Sequence, residues 1–218
     1  MMTQEQLDRL KKKLDSSIPL IGTFSRKGAV KELLLNREDP QVVGLLLEVL
    51  PKLGQVMSEE VQTALKGVSS RDGVNALCEA AIRDPGSVAA RLCQEAGKRP
   101  SDHERACLYL FVSGQLDAYF QEDDDFQALR QEYDRADDKL KHRIMKIIRS
   151  GDKRCTAFFG RRKKLRECNE GEIRLALESA LKHKDWPNLF KAFMELPLKY
   201  GFPLLHHFRT SGWQPETP

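Results

Sequence analysis

Residues 37–50 read REDPQVVGLLLEVL, and residues 82–95 read IRDPGSVAARLCQE. Aligned without a gap, the two stretches lie 45 residues apart and match Pro40 with Pro85, Val43 with Val88, and Leu47 with Leu92. In both stretches an aspartate precedes a proline, which is the pattern of an N-cap carboxylate followed by proline at the first helical position. Each stretch therefore predicts the start of a helix.

The same helical signal extends over almost the whole chain. Apolar residues recur at a spacing near 3.6, whereas strand-like alternation never persists beyond four residues. Capping-box spacing occurs at Thr3 with Gln6, Ser101 with Glu104, and Asn169 with Glu172. We predict an all-α fold with long connections only at 15–25 and 151–169. The predicted helices span about 3–14, 26–36, 40–53, 58–68, 72–83, 86–97, 101–113, 125–134, 137–149, 170–184, 187–196 and 201–211.

A period of about 45 residues made of paired helices is typical of HEAT and armadillo solenoids. One helical hairpin cannot bury its apolar face alone, and stacked hairpins create a continuous core. We therefore predict HEAT-like helical repeats in residues 1–113 and a C-terminal helical bundle that continues the stack in residues 114–218, with an irregular bundle as the alternative. The alignment also predicts that Leu47 and Leu92 are buried between helices.

Composition excludes several classes of protein. The chain has 218 residues, of which 40% are hydrophobic and 31% are charged. No window approaches 18 uninterrupted apolar residues, so no membrane span is predicted. The first residues form a charged amphipathic pattern without the apolar region of a secretory signal. These features predict a soluble cytoplasmic protein.

No pattern in the chain predicts catalysis, a metal or a cofactor. Phosphate-binding glycine loops, zinc-protease motifs, nucleophile elbows and EF-hand loops do not occur. The five cysteines form no C-x-x-C pair, and Cys78, Cys93 and Cys107 lie among Leu and Ala at helical spacing, which predicts buried, reduced thiols. The acidic run 122–125 lacks the glycine and distal glutamate of a calcium loop, so we expect a solvated connection there.

Charge is distributed very unevenly in the second half. Residues 117–138 contain nine acidic and two basic side chains, whereas residues 139–166 contain twelve basic and one acidic side chain. The whole chain carries only +4, so this is a local separation of charge. We predict a partner-binding site in the basic segment 139–166, formed by Arg149, Lys153, Arg154, Arg161, Arg162, Lys163 and Lys164.

Three interpretations of the basic segment remain open. It is a solvated face paired with the acidic helix before it, a docking site for an acidic protein surface, or a nucleic-acid site. The nucleic-acid alternative uses Phe158-Phe159 beside Gly160-Arg161-Arg162-Lys163-Lys164, because aromatic side chains interleaved with cations suit bases and phosphates. We favour another protein as the partner.

The second half also contains a longer pattern, which runs through two groups of residues. The first group is Gly114, Gln115, Tyr119, Asp125, Phe126, Leu129, Arg130, Tyr133, Ala136, Asp137, Leu140 and Arg143, and the second is Trp186, Leu196, Pro197, Leu204, Leu205, Gly212, Trp213 and Pro215. The pattern resembles the HEAT-like helical region that precedes a WD-repeat propeller in large bacterial proteins. This resemblance implies a non-catalytic adaptor or scaffold module in a bacterial cytoplasmic assembly, and it supplies no catalytic residue.

The cysteine and histidine spacing generates a first prediction. Elemental analysis of the purified protein is expected to find no stoichiometric metal, because no ligand set has metal-binding spacing. The circular dichroism spectrum is expected to stay unchanged in chelator and in reductant. About one zinc per chain would contradict this prediction.

Overall fold

The computed structural model describes residues 2–14, 19–150, 152–156, 158, 170–196 and 198–212. Within these residues the chain forms thirteen α-helices and two short 3-10 turns, and none of the described residues lies in a strand. The prediction of an all-α fold is confirmed. The helices are α1 (Gln4–Leu14), α2 (Pro19–Leu35), α3 (Pro40–Val49), α4 (Gln55–Lys66), α5 (Arg71–Arg83), α6 (Val88–Glu95), α7 (His103–Val112), α8 (Leu116–Glu122), α9 (Gln127–Arg135), α10 (Asp138–Ser150), α11 (Glu170–Lys182), α12 (Trp186–Glu195) and α13 (Leu198–Ser211).

Two helices differ from the predicted boundaries in ways that have a physical reason. Helix α2 begins at Pro19 rather than near residue 26, since proline fits the first helical position, where its missing N–H is not needed. Helix α8 lies where a connection was predicted. Its seven residues are too few to show a helical period in the sequence. The helix is held by the packing of Tyr119, which is fully buried.

The chain divides into two compact units, Met1–Tyr109 and Leu110–Pro218. The predicted boundary after residue 113 lies just beyond this division. In the first unit the helices follow one another in two rows. Helix α1 contacts α3 and α3 contacts α5, whereas α2 contacts α4 and α4 contacts α6. Contacts of α1 with α2 and of α5 with α6 join the two rows.

Both rows enclose a core of aliphatic side chains. The fully buried side chains of this core include Leu10, Leu33, Leu46, Leu65, Leu77 and Ile82. Burying each such side chain contributes about 1.5–3 kcal/mol relative to leaving it in water. The unit is therefore stabilised by helices that each cover a neighbour's apolar stripe.

The two aligned stretches start their helices differently. Asp39 is the N-cap of α3, and its carboxylate accepts a hydrogen bond from the Gln41 N–H, as the Asp-Pro pattern predicts. Helix α6 instead begins at Val88 with Ser87 as its N-cap, and the Ser87 hydroxyl accepts a hydrogen bond from the Ala90 N–H. The prediction that Asp84-Pro85 begins a helix is wrong.

The reason lies in a turn before α6. The Asp84 carboxylate accepts a hydrogen bond from the Gly86 N–H, and the Asp84 backbone carbonyl oxygen accepts one from the Ser87 N–H. This Asx-type turn moves the helix start toward the C-terminus. The buried positions of α3 and α6 therefore correspond at a separation of 47 residues rather than 45, as Val42/Ala89, Val43/Ala90, Leu45/Leu92 and Leu46/Cys93. Burial is confirmed for Leu92 but not for Leu47, which is partly exposed.

In the second unit, helices that are adjacent in the chain contact each other, from α9 through α13. Ala180, Leu189 and Leu204 form a buried cluster between α11, α12 and α13. Partly buried Trp186, Phe193 and Phe208 pack against this cluster, together with Leu177 and Leu181. Aromatic side chains of this unit thus contribute to its core at these positions.

Gly73 provides a sharp test of the first unit. A Cβ atom added to Gly73 would lie 2.7 Å from Val68 Cγ1, 2.8 Å from Ser70 Oγ and 3.0 Å from the Glu38 carbonyl oxygen. We expect Gly73→Ala to lower the free energy of unfolding by about 1–3 kcal/mol, because the Val68 and Ser70 side chains have to shift and the Glu38 carbonyl oxygen leaves no slack. Urea denaturation of the two proteins measures the change.

Gly44→Ala is the matched control, since Gly44 lies inside α3 and a Cβ there meets nothing within 4 Å. Alanine at that site is expected to raise the free energy of unfolding by about 0.5–1 kcal/mol. A Gly73→Ala protein as stable as the original would show that the approach of Glu38 to α5 is not this close.

Candidate interaction surface

Helix α10 holds the first part of the predicted basic segment. The Asp137 carboxylate accepts a hydrogen bond of 2.8 Å from the Leu140 N–H and so caps the helix. Ile144, Met145 and Ile148 form its buried stripe. Because α10 contacts α9 and α11, this stripe fixes which side of the helix faces the core.

The other side of α10 carries basic residues. Lys139, His142 and Lys146 are exposed. Their spacing of three and four residues places them on one helical face, which we call the basic face of α10. Lys141 is directed elsewhere, with its Nζ atom 5.8 Å from the centre of the Tyr133 ring. The two exposed lysines of α10 thus lie on one face, with His142 between them.

Among the seven predicted site residues, Arg154 is the one whose side chain the structure describes. Its Nη2 lies 2.8 Å from Asp117 Oδ1 and 2.5 Å from Asp152 Oδ2. Its Cζ atom lies 4.3 Å from the centre of the Phe120 ring. The guanidinium is therefore engaged within its own unit, and its role in partner binding remains a prediction.

These contacts shift the ionisation of both groups. Hydrogen bonds to Asp152 and then Asp117 raise the pKa of the Arg154 guanidinium. The hydrogen bond from the Arg154 side chain, followed by one from the Arg154 backbone N–H, lowers the pKa of the Asp152 carboxyl. Both groups stay charged at neutral pH, so the network ties the turn at Lys153–Thr156 to α8.

The structure does not describe the side chains of the other six predicted site residues. Arg149 lies in the last turn of α10 and Lys153 begins the 3-10 turn, but their side chains are not among the described ones. Arg161, Arg162, Lys163 and Lys164 lie outside the described residues. The structure consequently brings Arg154 together with α8 and places Arg149 in the last turn of the helix that carries the basic face.

The acidic run 122–125, between α8 and α9, contains a buried carboxylate. Asp123 is buried, and its carboxylate accepts hydrogen bonds from the Tyr119 hydroxyl at 2.7 Å, the Ala128 N–H at 3.1 Å and the Leu129 N–H at 3.0 Å. The expectation of a purely solvated loop is therefore wrong at this residue.

Asp123 is needed because of the residue that starts α9. The N-cap position is occupied by Phe126, whose side chain cannot accept a hydrogen bond and whose φ is 63°. The N-terminal N–H groups of a helix lack partners inside the helix. Asp123 supplies acceptors for the Ala128 and Leu129 N–H groups and Asp125 one for the Gln127 N–H, while the Phe126 ring enters the core.

An aromatic cluster surrounds this turn. The Phe126 and Tyr133 rings lie 5.6 Å and 5.7 Å from the Phe158 ring, centre to centre. Phe158 is fully buried. A ring in this position cannot stack on a nucleic-acid base without leaving the core, so the aromatic part of the nucleic-acid hypothesis does not hold for Phe158. Phe159 lies outside the described residues.

Several residues that carry the family resemblance have structural roles. The Gln115 N–H donates to the Leu110 carbonyl oxygen as the chain enters α8. The Arg130 Nη2 donates to the Asp125 carbonyl oxygen, and Tyr119 and Phe126 are buried. The pattern thus describes how α8 joins α9, and it assigns no chemistry to these residues.

Comparisons with known proteins add no assignment. No family model, no curated protein and no solved structure matches the chain. The resemblance to the helical region before a WD-repeat propeller therefore stays a prediction.

Two further observations concern membranes and metals. No helix in the described part of the chain combines the length and the apolar character needed to cross a bilayer. Over the same residues, no group of three or more His, Cys, Asp or Glu side chains is placed to hold a metal ion. The expectations of no catalytic residue, no cofactor and no metal remain predictions.

Asp123 generates a stability prediction for the second unit. The Asp123→Asn side chain has one carbonyl oxygen and one NH₂ group where the carboxylate has two oxygen acceptors. The NH₂ group cannot accept a hydrogen bond, so at least one of the three buried donors loses its acceptor. We expect the free energy of unfolding to fall by about 1–3 kcal/mol. Asp124→Asn, a change at the exposed neighbour, is expected to stay within about 0.5 kcal/mol. Equal effects of the two variants in urea denaturation would contradict the capping role of Asp123.

Proposed function

We propose that this chain is a non-catalytic interaction module, an adaptor or scaffold that binds an acidic surface of another protein. The observation that carries the proposal is the basic face of α10. Lys139, His142 and Lys146 are exposed on a helix whose opposite side is anchored by Ile144 and Ile148. A rigid, one-sided array of charge suits recognition of a surface of opposite charge.

The acidic residues before α10 differ from the basic face in what they contact. Asp123 and Asp137 accept hydrogen bonds from backbone N–H groups of α9 and α10. Asp117 pairs with Arg154. Several carboxylates of the acidic segment thus serve internal contacts, and Lys139 and Lys146 are exposed. The hydrogen bonds that hold Asp123 and Asp137 leave fewer carboxylates to neutralise the basic face, which supports an external partner.

The architecture supports the same kind of function. Two rows of alternating helices, and buried positions that recur 47 residues apart, support HEAT-like repeats in the first unit. Stacked helical repeats offer extended surfaces that bind other proteins. The resemblance of the second half to a helical region of large bacterial proteins supports a place in a bacterial cytoplasmic assembly.

The alternative is a nucleic-acid-binding protein that uses residues 139–166. The burial of Phe158 removes one of its two adjacent aromatic residues from the surface and so favours the protein partner. A nucleic-acid site would derive its affinity from phosphate neutralisation and would respond steeply to salt.

Binding to two defined probes tests the proposal. The full chain is titrated into labelled poly-L-glutamate and into a labelled duplex DNA, and fluorescence anisotropy is recorded across a range of salt concentrations. We expect binding to the acidic polypeptide, and weakening by about fivefold or more in Lys139→Gln/Lys146→Gln, because two exposed ion pairs are lost at about 0.5 kcal/mol each. Duplex DNA is expected to bind with a Kd of about 10⁻⁴ M or weaker near physiological salt.

Lys27→Gln/Lys31→Gln is the matched control, because it removes two exposed lysines from α2 in the first unit. It is expected to bind poly-L-glutamate as the original protein does. Equal weakening by both variants would mean that only net charge matters. A sub-micromolar, salt-sensitive complex with DNA that disappears in Arg161→Gln/Arg162→Gln/Lys163→Gln/Lys164→Gln would overturn the proposal in favour of nucleic acid.

A further inference from the structure

Two cysteines that are distant in the sequence meet in the core of the first unit. Cys78 lies in α5 and Cys93 in α6, and their Sγ atoms are 3.8 Å apart. Both side chains are fully buried and both thiols are free. The sequence predicts each of them as a separate buried apolar residue, because a separation of 15 residues gives no local pairing motif.

The helices that carry the two cysteines are held close to each other. Helix α5 packs along α6, and the turn between them is fixed by hydrogen bonds from the Ser87 hydroxyl and N–H to the Asp84 carbonyl oxygen. A disulfide has an S–S distance of about 2.05 Å, so the two sulfur atoms, now 3.8 Å apart, need to approach by under about 2 Å. Side-chain rotation and a small helix shift provide such a movement.

The two thiols are chemically unequal. The hydrogen bond between the Cys78 and Cys93 thiols lowers the pKa of Cys93, and the positive charge of Lys98 acts in the same direction. The same hydrogen bond, together with burial, raises the pKa of Cys78. Lys98 is fixed nearby, because its N–H donates to the Cys93 carbonyl oxygen and its Nζ donates to the Val68 carbonyl oxygen.

We propose that Cys78 and Cys93 are an oxidative modification site that closes to a disulfide on reaction with a peroxide. The Cys93 thiolate attacks one peroxide oxygen, an S–O bond forms, the O–O bond breaks, and hydroxide leaves. The sulfur of the Cys78 thiol then attacks the sulfenic sulfur, the S–S bond forms, the S–O bond breaks, and the Cys78 thiol proton leaves with the hydroxide as water. The proton that Cys93 released converts the first hydroxide to water, so two thiols and one hydrogen peroxide give one disulfide and two waters.

The other described cysteines have different surroundings. The Cys107 sulfur lies 3.8 Å from Nε2 of the His103 ring. Burial raises the pKa of Cys155 to about 11, which disfavours its thiolate at neutral pH. Among the described cysteines, Cys78 and Cys93 have sulfur atoms 3.8 Å apart, so the disulfide is expected at this pair rather than at Cys107 or Cys155.

Peptide mapping tests the proposal on the full chain. Each cysteine lies in a different tryptic peptide, with Cys78 in residues 72–83 and Cys93 in residues 92–98. The native protein is incubated with hydrogen peroxide until cross-linking no longer increases, alkylated, and digested without reductant. We expect peptide 72–83 joined to peptide 92–98 as the main cross-linked product, and its disappearance after treatment with dithiothreitol.

Three variants and one condition complete the test. Cys78→Ala and Cys93→Ala are each expected to lose the cross-link, whereas Cys107→Ala, a change at an equally buried thiol, is expected to keep it. In denaturant the preference for this pair should disappear, since it depends on folded geometry. Cross-links among other cysteines as the main products from the native protein, or oxidation without the 72–83 to 92–98 link, would overturn the proposal. The wild-type digest decides the matter even if an alanine variant fails to fold.

Discussion

Several helices of this chain bury a single apolar stripe, and the packing of both units depends on that limit, whereas α7 buries all of residues 107–112. Helix α1 buries Leu7, Leu10 and Leu14, and α10 buries Ile144, Met145 and Ile148. A helix with one such stripe is stable only when a neighbour covers it, since most helical stability in proteins comes from tertiary packing. The two rows of the first unit and the sequential contacts of the second unit satisfy this requirement. The faces that no neighbour covers carry the charges on which the proposed function rests.

Helix starts impose a second constraint on where the charges go. Carboxylates accept hydrogen bonds from the first N–H groups of several helices, namely Asp39 at α3, Asp102 at α7, Asp123 and Asp125 at α9, and Asp137 at α10. Hydroxyl oxygens of Thr3, Ser70 and Ser87 do so at α1, α5 and α6. Part of the acidity of the chain is therefore used at helix ends. Lysine side chains have no such role at a helix start. The acidic and basic segments of the second half therefore differ as binding surfaces. Several carboxylates of residues 117–138, which carry a net charge of −7, are held by backbone N–H groups, whereas residues 139–166 carry a net charge of +11.

The sequence predicts the helical class and most helix positions, because apolar spacing and N-cap residues are local signals. Its errors occur where a contact between distant residues decides the outcome. The Asp84 turn shifts α6 by two residues, and α8 exists because Tyr119 is buried and bonded to Asp123. The basic segment is predicted, but the exposed line of Lys139, His142 and Lys146 is defined only once the buried stripe of α10 is known. The Cys78–Cys93 pair has no sequence signal, because its geometry depends on how α5 packs against α6.

The central claim is that the exposed side of α10 is the surface that meets an acidic partner. A nuclear magnetic resonance titration of the isotope-labelled full chain with poly-L-glutamate measures this directly, residue by residue. Changes in amide chemical shift are expected along α10 and in the rest of the basic segment 139–166, with only small changes in α1 to α6. Addition of salt is expected to reverse these changes. Shifts centred on the first unit, with α10 unaffected at saturation, would contradict the account.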